Sequence, residues 1–198
     1  MKKIKICGLY RDEDINIINE YLPDYCGFII NFPKSHRNIS IEKLKALRER
    51  LDKKVIPVGV FVDQSPKVIA DLLNENVISI AQLHGIENDE YIKDLKKMTD
   101  KTIWKAFQIN SDEDVKAANK SIADFVILDA GQGTGKTFNW KYLNKINREY
   151  GLAGGLNLNN LDDALLTDAV LLDVSGGVES EKIKDKNKIK EFIKRTRG

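Results

Sequence analysis

Cysteine, histidine, tryptophan and proline are scarce in this chain of 198 residues, at two, two, two and four copies. Two cysteines, Cys7 and Cys26, exclude a disulfide scaffold and a zinc site built from four cysteines. His36 and His84 have no second ligand at a metal spacing, so neither reads as a metal centre. A charge imbalance is missing too: 32 Lys and Arg against 30 acidic residues leave a net charge of +2. That gives no broad basic face for nucleic acid. No apolar run reaches the roughly 18 residues of a membrane span. The start, Met1-Lys2-Lys3-Ile4-Lys5-Ile6, has no secretory h-region. These absences leave a reduced, cytoplasmic protein without nucleic-acid or membrane partners. What is present, 42% hydrophobic and 31% charged residues, fits one globular domain over residues 1–198, because nothing long enough to be a linker divides it.

Eight short apolar runs stand out: 4–6, 26–30, 55–61, 77–81, 103–106, 125–128, 151–153 and 169–172. They are rich in β-branched residues and mostly lack alternation, as buried strands of a parallel sheet do. Their spacing of roughly 20 to 30 residues is one strand, one crossover helix and two short loops. Helical stripes fill most gaps: Ile41, Leu44, Leu47 and Leu51 behind Ser40; Val68, Ile69, Leu72 and Leu73 behind Ser65-Pro66; Tyr91, Ile92, Leu95 and Met98. Further stripes are Trp140, Leu143 and Ile146, then Leu161, Ala164 and Leu165, then Ile189, Phe192 and Ile193. The gap from Gln108 to Asp124 is weakest, with only Val115 and Ala118. The pattern predicts a (β/α)8 TIM barrel, with a doubly wound open sheet as competitor.

In both architectures ligands bind at the carboxyl ends of the strands. The segments after the predicted strands gather glycine and polar residues there. Gly154-Gly155 and Ser175-Gly176-Gly177 follow the seventh and eighth strands, where backbone N–H groups commonly hold phosphate. Cys7 ends the first strand, and a thiol can act as a base where its surroundings favour thiolate; a small buried hydrophobe is the plainer reading. Cys26 opens the second strand and reads as core. Asp129 follows an apolar strand and can donate a proton if kept protonated, or can cap its loop. Asp173 has the analogous place after the eighth strand, and position does not choose between the two. Arg37, after the second strand, is either a clamp for a carboxylate or a surface arginine. Ala130-Gly131-Gln132-Gly133-Thr134-Gly135-Lys136-Thr137 nearly fits a nucleotide-binding P-loop, but its first position is Ala. It is also sixth in strand order and is followed by Phe138-Asn139-Trp140 rather than directly by a long helix, so nucleotide hydrolysis is not the expectation.

The ordered motifs carry a resemblance. They are Lys5-Ile6-Cys7-Gly8-Leu9, Gly27-Phe28-Ile29-Ile30, Ser35-His36-Arg37, Val58-Gly59-Val60-Phe61-Val62 and Gln82-Leu83-His84-Gly85. Asp129 with Gly133-Thr134-Gly135-Lys136-Thr137-Phe138-Asn139-Trp140 continues the series. Leu152-Ala153-Gly154-Gly155-Leu156 and Asp173-Val174-Ser175-Gly176-Gly177-Val178-Glu179 follow, then Lys184-Asp185 with Ile189 and Phe192. Over essentially its whole length the chain resembles the phosphoribosylanthranilate isomerases of tryptophan biosynthesis. The resemblance implies a (β/α)8 barrel with its fifth helix short or missing. It implies an Amadori rearrangement of N-(5-phosphoribosyl)anthranilate to 1-(2-carboxyphenylamino)-1-deoxyribulose 5-phosphate, with no metal or organic cofactor. It makes Asp129 the general acid at the ribose ring oxygen and Cys7 the general base at C2′. It puts Arg37 on the anthranilate carboxylate and the phosphate on Gly154, Gly155, Ser175, Gly176 and Gly177.

Three positions depart from the family pattern: Tyr10 for the usual threonine, Gln132 for a glycine, and Gly176 for the second serine of Ser-Ser-Gly. The alternatives are a related phosphate-binding barrel isomerase acting on a sugar–amine, which would typically use two aspartates, and a barrel that binds a phosphorylated ligand without turning it over. The expected assembly is a monomer or a homodimer.

Overall fold

The computed structural model describes residues 1–129 and 140–198. Eight strands form one parallel ring: β1 Lys3–Cys7, β2 Tyr25–Ile30, β3 Ile56–Phe61, β4 Ile80–Leu83, β5 Thr102–Gln108, β6 Phe125–Asp129, β7 Tyr150–Leu152 and β8 Leu171–Val174. β1 pairs with β2 on one side, with Ile6 opposite Cys26, and with β8 on the other, with Lys5 opposite Asp173. The sheet therefore closes, and the open-sheet alternative falls. The two strands offset from the sequence reading are β4 and β8. Val77 and Ile78 precede β4, and Ala169 and Val170 precede β8, because a buried apolar run can lie in the turn leading into a strand.

Alternation inside a closed ring sorts side chains into two cores. Ile4, Ile6, Cys26, Phe28, Ile103, Val126 and Leu128 face outward into the layer beneath the helices. Val58, Ile80, Trp104, Ala106, Ile127, Ala153 and Leu171 face inward. Trp104 packs edge-on against Tyr25, with ring centroids 5.2 Å apart, and lies 5.2 Å from Phe125. This aromatic plug fills the amino-terminal end of the interior.

The crossover helices are α1 Asp12–Tyr21, α2 Ile41–Glu49, α3 Pro66–Asn74, α4 Asp89–Met98, α5 Asp112–Lys120, α6 Leu161–Leu165 and α7 Lys186–Arg197. Ser40, Asn88 and Asp185 cap α2, α4 and α7 with side-chain oxygens on first-turn N–H groups. The expectation of a short or missing fifth helix is not met. α5 has nine residues, as many as α2 and α3. A capping box of Ser111 and Asp114 starts it, and Val115 and Ala118 suffice to seat it on the barrel. Arg148 closes its other end, donating to the carbonyls of Ala118, Ser121 and Ala123. The reduced elements come later. The Trp140 stripe forms only a 3-10 turn, Trp140–Lys145, and α6 has five residues. No described helix is long and apolar enough to cross a membrane.

Asp114→Ala removes the acceptor for the N–H groups of Asn110 and Ser111. The expected loss is about 1 kcal/mol of unfolding free energy, read from urea denaturation.

Candidate active site

A cavity of about 360 Å³ opens at the carboxyl ends of the strands, above the aromatic plug. All eight residues singled out in the sequence line it: Cys7, Arg37, Asp129, Gly154, Gly155, Ser175, Gly176 and Gly177. Strand ends bring Cys7 and Asp129 there. Cys7 is the last residue of β1 and Asp129 the last of β6. Asp129 also lies 3.3 Å from His84 Nε2 through Oδ2, and His84 Nδ1 lies 3.4 Å from Gln82 Nε2. Gln82, His84 and Asp129 therefore form a polar edge along one wall. Oε1 of Gln82 and Oδ1 of Asp173 are buried acceptors without a partner among the described residues, and both side chains line the cavity. A bound ligand with hydroxyl groups would satisfy them.

The glycine segments have a physical reason to be glycine. Gly154 and Gly155 sit at φ of 80° and 69°, the left-handed region that L side chains avoid. The amides of Asn157 and Asn160 both donate to Gly155 O at 2.9 Å and pin this turn. Asn157 then bridges in parallel to Gly177, where a Cβ would strike Leu156 O. The loops after β7 and β8 are thus sewn together at backbone distance. Of the departures from the resemblance, Gly176 is tolerant, since a Cβ there would meet only Arg37 Nη2, at 3.5 Å. Tyr10 lies outside the cavity lining, with its hydroxyl donating to Lys182 O. Gln132 and the P-loop-like segment from Ala130 to Thr137 lie outside the described residues.

Arg37 arrives by a detour. After β2 the chain turns through Asn31, at φ 52°, and returns so that Asn38–Ile39 pairs in parallel with Ile29 and Ile30. Its guanidinium is not an empty clamp. Nε and Nη2 donate to the two oxygens of Glu179 at 2.6 and 2.7 Å. Glu179 also takes a 2.6 Å bond from Lys184, its opposite number in the two-residue hairpin strands Glu179–Ser180 and Ile183–Lys184. Lys184 further reaches Ser175 O, and Ser175 Oγ donates to Cys7 O at 2.9 Å. Burial alone would lift Glu179, but the Arg37 hydrogen bonds and Lys184 outweigh it and hold the carboxyl below its ordinary value. Burial pulls Lys184 below its own ordinary value, against Glu179.

Asp173 is placed differently from the sequence reading. It lies inside β8, not after it, and accepts a 2.7 Å bond from Lys5 in the barrel interior. That tie sets it apart from Asp129, which position in the sequence did not do. Cys26 is buried in the outer core, as expected. Sequence reasoning missed Glu179 and Lys184 as a unit, because two short strands that pair only with each other leave no periodic signal. It missed Lys5 because a lysine in a strand normally signals an exposed face.

Residues 4–195 match the family described as N-(5'phosphoribosyl)anthranilate (PRA) isomerase. An N-(5'-phosphoribosyl)anthranilate isomerase of Clostridium kluyveri is 40% identical over 202 residues, covering 100% of this chain and 99% of the relative. Among solved structures, monomers of the dimeric phosphoribosylanthranilate isomerase of Thermotoga maritima are 34% identical and superpose with a TM-score of 0.86 over 100% of both chains. A phosphoribosylanthranilate isomerase in complex with reduced 1-(o-carboxyphenylamino)-1-deoxyribulose 5-phosphate is 32% identical, with a TM-score of 0.84 over 100% of both chains.

The lowered Glu179 carboxyl gives a signed pH prediction. The Arg37–Glu179–Lys184 cluster stabilises the fold fully above the ordinary carboxylate value, and this is lost as pH falls through the lower folded value. Glu179→Gln therefore lowers the urea midpoint at pH 7 and flattens its fall below about pH 4. A parallel fall in both proteins contradicts the assignment.

Proposed function

Because the chain belongs to the N-(5'-phosphoribosyl)anthranilate isomerase family, we propose that its cavity holds this substrate between Cys7 as base and Asp129 as acid. The chain is an isomerase of tryptophan biosynthesis that converts N-(5-phosphoribosyl)anthranilate to 1-(2-carboxyphenylamino)-1-deoxyribulose 5-phosphate. The observation that carries the residue assignment is that Cys7 and Asp129, from β1 and β6, line one cavity with both glycine segments.

In this reading Asp129 gives its proton to the ribose ring oxygen. The C1′–O bond breaks, and the anilino nitrogen supplies the electron pair that makes a Schiff base. The Cys7 thiolate then takes the proton from C2′, whose acidity the iminium raises. The C2′–H electrons form C1′=C2′ and the iminium pair returns to nitrogen, giving an enolamine that tautomerises to the ketone. The phosphate rests on Gly154, Gly155, Ser175, Gly176 and Gly177, where the left-handed turn at Gly154-Gly155 and the close approach of Gly177 to Leu156 and Asn157 bring the backbones of the two loops together at one edge of the cavity. Arg37 takes the anthranilate carboxylate. Two bonds to Glu179 fix the plane of its guanidinium, so the donors outside that fork meet a carboxylate in a set orientation. Anchoring both anionic ends leaves the sugar carbons little freedom, which is the usual source of rate in a positioned unimolecular step.

The same reading takes the chain as one domain, working in the cytoplasm as a monomer or homodimer on a small phosphorylated substrate, without metal or organic cofactor. Two of its large exposed apolar side chains, Ile86 before α4 and Leu166 just after α6, lie on separate connecting segments.

The test follows the loss of anthranilate-type fluorescence on adding fresh substrate, against a blank without protein. Cys7→Ser and Asp129→Asn are each expected to lower kcat by about a hundredfold or more, with KM changed far less. Arg37→Met is expected to act mainly through KM. Turnover at the wild-type rate by Cys7→Ser or Asp129→Asn removes that residue from the chemistry.

A further inference from the structure

One buried charge is not used by that mechanism. Lys5 is wholly buried and projects into the barrel interior, where alternation along β1 places it on the same face as Cys7. It stands with Phe28, Phe61 and Phe192 among the largest side chains with no exposure. A lysine there has to be compensated, and Asp173, directly opposite on β8, does so at 2.7 Å. As a stabiliser such a pair is poor, since well-packed apolar residues often hold a core equally well. Its position gives it another use. Gly27 on β2 faces the space between the two side chains, and a Cβ there would lie 2.7 Å from Cys7 Sγ and 3.1 Å from Lys5 Cε. The missing side chain lets the sulfur and the end of the lysine share one small volume. One of the three ammonium protons is committed to Asp173.

We propose that Lys5, locked by Asp173, is a positioning residue that stabilises the thiolate of Cys7 and so makes this cysteine usable as a base. The inference rests on the reading of Cys7 as the base. Lys5 touches no reacting atom and moves no proton; it acts through the sulfur. Burial pushes the Cys7 thiol above its ordinary value, and the Lys5 charge is the strongest opposing influence. The other charged groups facing Cys7 are Asp173 from β8, which works against the thiolate, and Lys184 from the hairpin behind β8, which works for it. Arg37, from the segment after β2, also feels the sulfur's charge. Cys26, on the outer face of β2, is pushed up strongly by burial and does not compete as a nucleophile.

The test is alkylation of Cys7 by iodoacetamide at fixed pH, followed by mass spectrometry, in the wild type and Lys5→Met, together with kcat and KM. Lys5→Met is expected to slow alkylation about tenfold at pH 8, the equivalent of one unit in the thiol's titration, and to lower kcat at least as much with KM within about threefold. If Lys5→Met does not fold, Lys5→Met with Asp173→Asn leaves two neutral side chains, and its alkylation rate is compared with that of Asp173→Asn alone, so that the opposing influence of Asp173 on the thiolate is removed from both. An unchanged alkylation rate on going from wild type to Lys5→Met, or from Asp173→Asn to the double variant, overturns the proposal. Slowed alkylation with full turnover keeps the hold of Lys5 on the thiol and instead overturns Cys7 as the base.

Discussion

Closure of the parallel ring is the constraint on which the rest depends. Because β1 pairs with both β2 and β8, every second side chain of each strand is committed to a closed interior. An apolar plug around Trp104 occupies the amino-terminal end of that interior. Polar groups above it, away from bulk water, must find partners inside the ring. Lys5 and Asp173, set opposite each other by the β1–β8 register, do so. The functional cavity is the part of the interior that the plug and this pair do not fill.

Charge in and around that cavity is arranged in closed groups. Lys5 answers Asp173, while Arg37 and Lys184 answer Glu179. Lys5 and Asp173 cancel, whereas two cations against the single Glu179 leave one positive charge beside the cavity, on the side where Arg37 also offers directed donors to an anionic group. The hairpin carrying Glu179 and Lys184 links the groups. Through Ser175 it reaches the carbonyl of Cys7, and through Arg37 it reaches the segment after β2. A change in that hairpin is therefore felt at both Cys7 and Arg37.

Much of this was legible in the sequence because its causes are local. Short β-branched runs such as Val58-Gly59-Val60-Phe61 announce buried parallel strands, and chemistry then belongs at their carboxyl ends. That logic found Cys7, Asp129 and the glycine segments. Closure was not legible, since it depends on the pairing of β1 with β8 across 168 residues of sequence (Lys5 to Asp173). The helix after β5 was undervalued because its stability comes from the Ser111–Asp114 cap and from Arg148, not from an apolar stripe. Asp173 looked like a twin of Asp129 until the register put Lys5 beside it. Glu179 and Lys184 are joined by a contact that no periodicity encodes.

The central claim is that Cys7 faces the same cavity as the substrate's reacting carbon. The most direct measurement is the rate at which iodoacetamide alkylates Cys7 in the wild-type protein, with and without saturating reduced 1-(o-carboxyphenylamino)-1-deoxyribulose 5-phosphate. The account predicts that the analogue suppresses alkylation, while inorganic phosphate at equal concentration, filling only the glycine segments, leaves most of it. Alkylation at an unchanged rate under saturating analogue would contradict the placement of Cys7 against the substrate.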